Sequence, residues 1–136
     1  MNTAAKRLSR ARALESVVRD ISRDVILPRH LKTARQKKND GSLFTEADLE
    51  SQRMFAKALP ELAPGPVLGE EMSPEQQARL WSEGKRGLWC IDPIDGTTNF
   101  ANGIPFFAVS IAYLMDHEPR FGVVYNPVTA ECFYAA

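Results

Sequence analysis

Residues 88–100 read Leu-Trp-Cys-Ile-Asp-Pro-Ile-Asp-Gly-Thr-Thr-Asn-Phe, a short apolar run that leads into two aspartates, a glycine and two threonines. Leu88–Ile91 predicts a strand that delivers Asp92 at its carboxyl end. Asp92 and Asp95 lie three positions apart around a proline-containing turn, so both carboxylates and an intervening carbonyl can converge on one cation. This stretch therefore predicts a metal site at the end of a strand.

A second acidic group precedes this stretch in the chain. Val67–Gly69 predicts another short strand after the break at Pro64-Gly65-Pro66, and it delivers Glu70 as the other strand delivers Asp92. Carboxylates are hard oxygen donors, which suit Mg²⁺ better than metals that prefer histidine or cysteine. We expect Glu70, Asp92 and Asp95 to hold two magnesium ions, with Asp92 shared between them, as in two-metal phosphatases.

The segment that begins at Asp95 suits a phosphate group. Gly96 has no Cβ, so an anion can approach the backbone closely, and Gly96-Thr97-Thr98 predicts the start of a short helix whose amides face that anion. The Thr97 hydroxyl, together with a carboxylate such as Asp48, is expected to orient the attacking water. The predicted substrate-binding residues are Asp95, Gly96, Thr97 and Thr98. The predicted catalytic residues are Asp48, Thr97 and Glu70.

Each of these fragments also has an ordinary interpretation. An isolated Asp-Gly step is usually a turn, and Glu70-Glu71 alone is typical of a solvated surface pair. Asp48 lies three residues after Thr45, which is the spacing of a helix capping box. That structural role and a catalytic role can hold together, because the cap fixes the position of the carboxylate. The combination of the fragments in one chain favours a catalytic site.

The rest of the chain predicts a mixture of helices and strands. Apolar residues recur at helical spacing over roughly residues 4–32, with Pro28 near the end of that helix. A polar turn over 37–42 leads to a second helix that runs from the Thr45 cap to Pro60. A polar helix that starts near Ser73 is followed, beyond the acidic stretch, by three more strands: 106–114, 121–125 and 131–135. Strand 106–114 has few charges, so we expect both of its faces to be covered.

Composition excludes several classes of protein. The 136 residues include 17 Lys and Arg and 17 Asp and Glu, so the charge balance favours neither nucleic acid nor an anionic membrane as a partner. The 44% of hydrophobic residues suffice for a core in one domain. We find no apolar stretch long enough for export or for a membrane span, and we expect a cytoplasmic protein with small-molecule substrates. Cys90 and Cys132 lack metal-ligand spacing and are expected to be reduced, buried thiols.

Taken together, these motifs resemble the inositol monophosphatase family. The resemblance rests on Trp89–Phe100, Gly69–Glu71, the pattern Asp40-Gly-Ser to Thr45-Glu-Ala-Asp48, and Gly122–Pro127, and it covers essentially the whole chain. It implies a layered α-β-α-β sandwich of the α+β class, in which N-terminal helices pack on a mainly antiparallel sheet. It also implies a homodimeric enzyme that hydrolyses small phosphate monoesters, depends on Mg²⁺ and is inhibited by lithium.

The resemblance also implies roles for individual residues. The metal ligands would be Glu70, Asp92, the carbonyl of Ile94, and Asp95. Gly96 and Thr97 would meet the phosphate, Thr97 and Asp48 would position the water, and Glu71 would support the ligands from a second shell. Members of the family continue into a second half that provides another metal-binding aspartate. We therefore expect residues 1–136 to be the N-terminal metal- and phosphate-binding portion of such an enzyme, incomplete as a catalyst.

Several alternatives remain open at this point. Inositol monophosphate is the leading substrate, because Thr98-Asn99-Phe100 resembles inositol monophosphatases more than bisphosphate nucleotidases. Fructose bisphosphate, histidinol phosphate and nucleotide bisphosphates are alternative substrates of related phosphatases. A protein of another class is the remaining alternative, in which the chain keeps the fold and binds a regulatory protein partner without turnover.

Overall fold

The structure, a computed structural model, describes residues 3–30, 35–37 and 43–136. Within these ranges, helices and strands are mixed along the first hundred or so residues, and three consecutive strands complete the chain. The α-helices are α1 (Thr3–Ile21), α2 (Glu46–Leu62), α3 (Pro74–Glu83) and α4 (Thr97–Ala101). The strands are β1 (Arg35–Lys37), β2 (Leu43–Thr45), β3 (Val67–Gly69), β4 (Leu88–Asp95), β5 (Ala108–Met115), β6 (Glu118–Tyr125) and β7 (Cys132–Ala135).

The N-terminal helix is regular only over its first part. Its buried residues recur about once per turn: Ala11, Leu14, Val18 and Ile21. After Ile21 the chain forms a π-helical turn over Ser22–Ile26 and a 3-10 turn over Leu27–Arg29. Pro28 lies in that last turn, and a proline ring clashes with the carbonyl four residues earlier in a regular α-helix. The predicted helix over 4–32 is therefore confirmed as far as Ile21, and the helical geometry changes over 22–29. Positions 31–32 of the prediction lie outside the described residues.

A five-stranded sheet forms the centre of the fold. Its order is β3-β4-β5-β6-β7, and β3 pairs parallel with β4 whereas the other neighbours are antiparallel. A tight turn at Asp116-His117 joins β5 to β6, and both of its residues have positive φ, as two-residue hairpin turns require. The structure therefore confirms the predicted α+β class with a mainly antiparallel sheet.

One face of the sheet carries the core. α1 packs on β6 and α2 packs on β4, and alternate side chains of β5 are buried with them. Of the intervening residues of β5, Ala108, Ser110 and Ala112 are partly exposed and Leu114 is buried. On the neighbouring strands the same face is more open, with Val124 46% and Phe133 66% exposed. Within the described residues, the prediction that both faces of β5 are covered is therefore met fully on one face and only in part on the other. Successive strand residues point to opposite faces, and the described helices α1 and α2 pack on the same one.

An aromatic group anchors β4 in the core. Trp89 is fully buried and packs against Tyr113 and Phe121, with ring centroids 4.8 Å and 5.6 Å away. Its indole N–H donates a 2.9 Å hydrogen bond to the Ala63 carbonyl, so its buried polar group is satisfied. β4 is thus held firmly just before the acidic residues at its end.

The segment before α2 differs from its prediction. β1 pairs antiparallel with β2, so Lys37, which we expected in a polar turn, lies in a strand opposite Leu43. The rest of the expected turn, 38–42, lies outside the described residues. A three-residue strand of polar and charged residues lacks the apolar alternation that identifies a strand from sequence.

Two expectations from composition can also be compared with the structure. Cys90 and Cys132 are free thiols, as expected, although both are only partly buried, and burial is the main cause that raises the pKa of each. Across the described ranges, we find no helix with the length and apolar character needed to cross a bilayer.

Candidate metal and phosphate site

Two strands bring acidic residues to one edge of the sheet. β3 runs parallel to β4 with Gly69 opposite Ile91, so the next residue along each strand, Glu70 and Asp92, lies at the same edge. Gly69 is buried against α2, where a Cβ would lie 2.5 Å from the side-chain oxygen of Gln52. Glycine therefore allows β3 to approach α2 closely, and Glu70 follows directly after this contact.

The segment from Asp92 to Asp95 is an irregular strand rather than the predicted turn. β4 continues to Asp95, with Asp92 opposite Ser110 and Asp95 opposite Ala108. Three steps along β4 therefore match two steps along β5, which is a β-bulge with one extra residue. Pro93 lies within the bulge, where its missing N–H removes no regular ladder bond. The turn prediction was wrong because a proline at the end of a strand suits a bulge as well as a turn.

Gly96 separates β4 from α4. Its φ is 93°, in the left-handed region where residues with a Cβ are strained, and it is the N-cap of α4. A Cβ there would also lie 3.3 Å from the Phe106 carbonyl oxygen. The short helix predicted from Gly96-Thr97-Thr98 is thus confirmed. It carries Thr97 at its first position and the exposed Thr98 at its second.

Asp48 and Thr97 meet although 49 residues separate them in the chain. Thr97 Oγ1 lies 3.4 Å from Asp48 Oδ1 and 3.1 Å from the Ile94 carbonyl oxygen, so its single hydroxyl proton has two acceptors. Asp48 Oδ2 accepts hydrogen bonds from the N–H and the hydroxyl of Thr45, both at 2.7 Å. The Asp48 N–H donates back to Thr45 Oγ1, which confirms the predicted capping box. Because Asp48 is only 1% exposed, these bonds hold a buried carboxylate in one orientation.

The acidic residues share one electrostatic environment. Burial raises the pKa of Asp92 from its ordinary 3.8 to about 6, with further contributions from the negative charges of Glu70 and Asp95. The Ile94 N–H, 3.3 Å from Asp92 Oδ1, opposes this rise, and Asp48 adds a smaller contribution of the same sign as Glu70 and Asp95. The charged form of Asp92 is therefore disfavoured by its neighbours until a cation or a proton reduces the repulsion.

The donors present at this edge suit a hard divalent cation. The oxygen atoms of Glu70, Asp92 and Asp95 and the Ile94 carbonyl are the ligand types that Mg²⁺ prefers, and a cation would relieve the repulsion at Asp92. In the part of the chain that the structure describes, no three His, Cys, Asp or Glu side chains lie close enough together to hold a metal ion as they stand. The chemistry of the donors thus fits Mg²⁺, whereas this conformation does not gather them at ligating distance. Glu71, the predicted supporting residue, follows Glu70 and is partly buried.

Gln77 belongs to this site but was missed from sequence. Its Nε2 donates to the carbonyl oxygens of Gly69 at 3.0 Å and Glu70 at 3.3 Å, so α3 holds the backbone at the end of β3. The start of α3 was predictable, because Ser73 and Gln76 form a capping box there. A side-chain amide that bonds to a backbone carbonyl leaves no periodic or motif signal, so the role of Gln77 emerges only from the fold.

Comparison with known proteins agrees with the fold and with the motifs. The profile of the inositol monophosphatase family matches residues 3–136, and the chain belongs to that family. The chain is 39% identical over 94 residues to the fructose-1,6-bisphosphatase/inositol-1-monophosphatase of Thermotoga maritima, covering 68% of this chain and 34% of that protein. It is 36% identical over 101 residues to the 3'(2'),5'-bisphosphate nucleotidase CysQ of Aggregatibacter actinomycetemcomitans, covering 72% of this chain and 36% of that protein.

A solved structure supports the same assignment. The IMPase of Thermotoga maritima matches with a TM-score of 0.80 at 31% identity, covering 93% of this chain and 48% of that chain. The match thus spans about half of that solved chain and about a third of each curated relative. These comparisons confirm the predicted family and the predicted fold class.

Proposed function

We propose that this chain is the N-terminal metal- and phosphate-binding portion of a Mg²⁺-dependent phosphatase that hydrolyses small phosphate monoesters. The observation that carries the proposal is the contact between Thr97 Oγ1 and Asp48 Oδ1, beside the acidic residues at the ends of β3 and β4. A capping box needs only Thr45 and Asp48 and gives no reason for Thr97 to lie there. The contact instead joins a hydroxyl next to the predicted phosphate-binding glycine to a buried carboxylate from another helix.

The acidic residues would hold the metal. Glu70, Asp92 and Asp95, with the carbonyl of Ile94, would be its ligands, and Glu70 would be catalytic through this role. When bound, Mg²⁺ neutralises phosphate oxygens and makes the attacking water more acidic. The raised pKa of Asp92 supports this assignment, because a carboxylate crowded by other carboxylates gains from a cation. Glu71 would support the ligands from the next position in the chain.

Thr97 and Asp48 would orient the attacking water. The bonds from Thr45 hold Asp48 Oδ2, and Asp48 Oδ1 faces the Thr97 hydroxyl. When Thr97 donates its proton to Asp48 Oδ1, the lone pairs of its oxygen accept a proton of the water. A lone pair of the water is then directed away from Thr97, toward the phosphorus atom.

The phosphate would lie against the backbone that begins at Asp95. The backbone at Gly96 would be free of a side chain where the phosphate approaches, and the left-handed φ of this residue explains why glycine is needed there. The side chains of Thr97 and Thr98 follow on α4, one half-buried and one exposed. Asp95, which is exposed, would contact both metal and substrate, so it is the residue of choice for a test.

Inositol monophosphate is the first substrate we propose, from the family to which the chain belongs. The names of two relatives add fructose 1,6-bisphosphate and 3'(2'),5'-nucleotide bisphosphates as second candidates. Histidinol phosphate completes the panel of small esters to be compared.

Phosphate release by the protein in its full natural length, assayed with Mg²⁺ and this panel, tests the proposal. We expect turnover of at least one ester, and we expect Asp95→Asn to lower it by at least about a hundredfold. Asp116→Asn, which removes an exposed aspartate in the β5–β6 turn, is the matched control and should change little. Unchanged turnover in Asp95→Asn would refute the site. No release from any ester, with a stoichiometric protein partner recovered instead, would favour the non-catalytic alternative.

We also infer, from the family resemblance alone, a cytoplasmic homodimer that is sensitive to lithium. Sedimentation analysis of the full-length protein, cell fractionation, and the same phosphate assay with added LiCl test these three properties separately.

A further inference from the structure

A cavity between α1 and the β5–β6 hairpin is lined by positive charge. Its volume is about 440 Å³, which is within the range of small-molecule sites. The charged residues in its lining are Lys6, Arg7, Arg10 and Arg120. None of the described residues that line it is acidic.

Of the three cations that α1 contributes, Lys6 is exposed, whereas the two arginines differ from an ordinary solvated helix face. Arg12 and Arg23 on the same helical segment are exposed, whereas Arg7 and Arg10 are half-buried. Among the described residues, no ion pair includes Lys6, Arg7 or Arg10. Neighbouring cations without a counter-charge repel one another, and a bound anion would remove that repulsion.

Arg120 is held in position on the sheet side of the cavity. Its Nη2 donates to the Met115 carbonyl at 3.3 Å and lies 3.6 Å from Glu118 Oε2 and 4.0 Å from Asp116 Oδ2. These two carboxylates neutralise part of its charge and restrict its orientation. The uncompensated positive charge of the cavity therefore comes mainly from α1.

The base of the cavity is aromatic and buried. Tyr113 and Phe121 line it, with their rings stacked 5.2 Å apart, and the Tyr113 hydroxyl donates to the Pro64 carbonyl at 2.7 Å. Burial raises the pKa of Tyr113, and the charge of Arg10 opposes that rise, which places the Arg10 side chain near the phenol. Charge interactions above a packed apolar base are stronger than those in open water.

We propose that this cavity binds a small soluble anion that carries two or more phosphate groups. Lys6 and Arg10 are four residues apart, so they lie about 6 Å apart along α1, and Arg120 faces the same cavity from β6. Cations spread over this distance match an anion with two adjacent phosphate groups better than an anion with one. Arginine also pairs with phosphate through two hydrogen bonds at once. The inference does not depend on the proposed phosphatase function.

Calorimetric titration of the full-length protein with inorganic pyrophosphate tests the proposal. Metal is removed with a chelator, and low ionic strength is used because screening weakens such binding. We expect saturable binding, and we expect the double variant Arg7→Gln/Arg10→Gln to raise Kd by at least about tenfold. The matched control is Arg12→Gln/Arg53→Gln, which removes two exposed arginines outside the cavity and should leave Kd within about twofold.

Four results would overturn the proposal. The first is no saturable binding of pyrophosphate at millimolar concentration, and the second is an equal loss of affinity in the control variant. The third is a loss of pyrophosphate affinity in Thr97→Val with no loss in the double arginine variant. Pyrophosphate would then occupy the proposed phosphate site rather than the cavity. Hydrogen exchange of the unsubstituted protein gives an independent readout that needs no variant to fold. Pyrophosphate should slow exchange in peptides that cover residues 3–12 and 113–121, and unchanged exchange there would also overturn the proposal.

Discussion

Neutralising Asp92 should stabilise the metal-free protein. The environment of Asp92 raises its pKa from 3.8 to about 6, which corresponds to about 3 kcal/mol at 1.36 kcal/mol per pKa unit. Asp92 is only partly buried, so solvent screening reduces the measurable part to about 1–2 kcal/mol. Asp92→Asn removes the charge, keeps the shape, and leaves Glu70 and Asp95 with less repulsion. We expect the variant to unfold at higher urea concentration than the unsubstituted protein at pH 7.5.

The direction in which stability should change with pH follows from the raised pKa of Asp92. A carboxyl group whose pKa is raised by folding binds its proton more tightly in the folded state than in the unfolded state. The unsubstituted protein should therefore lose stability from this group as pH rises from about 4 to about 6, whereas Asp92→Asn should not. The gain in the free energy of unfolding from Asp92→Asn is expected to be near zero at pH 4 and complete above about pH 6.5.

Urea unfolding of the full-length protein, followed by circular dichroism in the presence of a chelator, measures this gain at both pH values. Asp24→Asn is the matched control, because the hydrogen bond and charge of Arg23 lower the pKa of that exposed carboxyl, so its neutralisation should not stabilise. Added Mg²⁺ should stabilise the unsubstituted protein and have a smaller effect on Asp92→Asn. A gain that is absent at pH 7.5, or equal at both pH values, would refute the electrostatic reasoning.

Four further substitutions test other contacts of the site and core. Thr97→Val should lower kcat by at least about tenfold whereas Thr97→Ser should retain most activity, because only the hydroxyl contacts Asp48; full activity in the valine variant would contradict this. Asp48→Asn should keep most of the thermal stability, since an amide oxygen can still accept the Thr45 N–H in the capping box, but should abolish turnover in the phosphate assay. Gln77→Leu should raise the Mg²⁺ concentration for half-maximal activity by about tenfold, and Arg79→Ala, exposed on the same helix, should not. Trp89→Phe should lower the free energy of unfolding by about 2–3 kcal/mol in urea titrations, because it leaves a cavity and an unpaired carbonyl.

Local signals were sufficient to predict much of this fold. The strand Val67–Gly69 was predicted with its observed limits, because a Pro-Gly-Pro break precedes it and an acidic pair follows it. The capping box at Thr45 and Asp48 needs only two residues three positions apart, so its spacing in the sequence is enough to predict it. The short helix that begins after Gly96 was predicted from a local signal of the same kind.

Features that depend on partners distant in the chain were not predictable in the same way. The bulge between Asp92 and Asp95 is defined by its mismatch with β5, so it exists only once that pairing forms. The partial exposure of the second face of β5 depends on which helices pack on the sheet, and the low charge of the strand alone cannot distinguish one covered face from two. Gln77 acts through backbone carbonyls of another element, and any sequence at those positions would present the same carbonyls.

The capping box at Asp48 is a local structure that positions this residue for its contact with the distant Thr97. Asp48 Oδ2 is fixed by two 2.7 Å hydrogen bonds from Thr45, and the N-terminus of α2 favours a negative charge at this position. The capping box therefore presents Oδ1 in a defined direction without help from the five-stranded sheet. Oδ1 is one of two acceptors within reach of the Thr97 hydroxyl, the other being the Ile94 carbonyl. The β4 bulge and the left-handed Gly96 then determine whether Thr97 reaches Oδ1, and it does so at 3.4 Å. Because a 3.4 Å separation is long for a hydrogen bond between oxygen atoms, we expect this contact to shorten when metal and phosphate draw the end of β4 toward them.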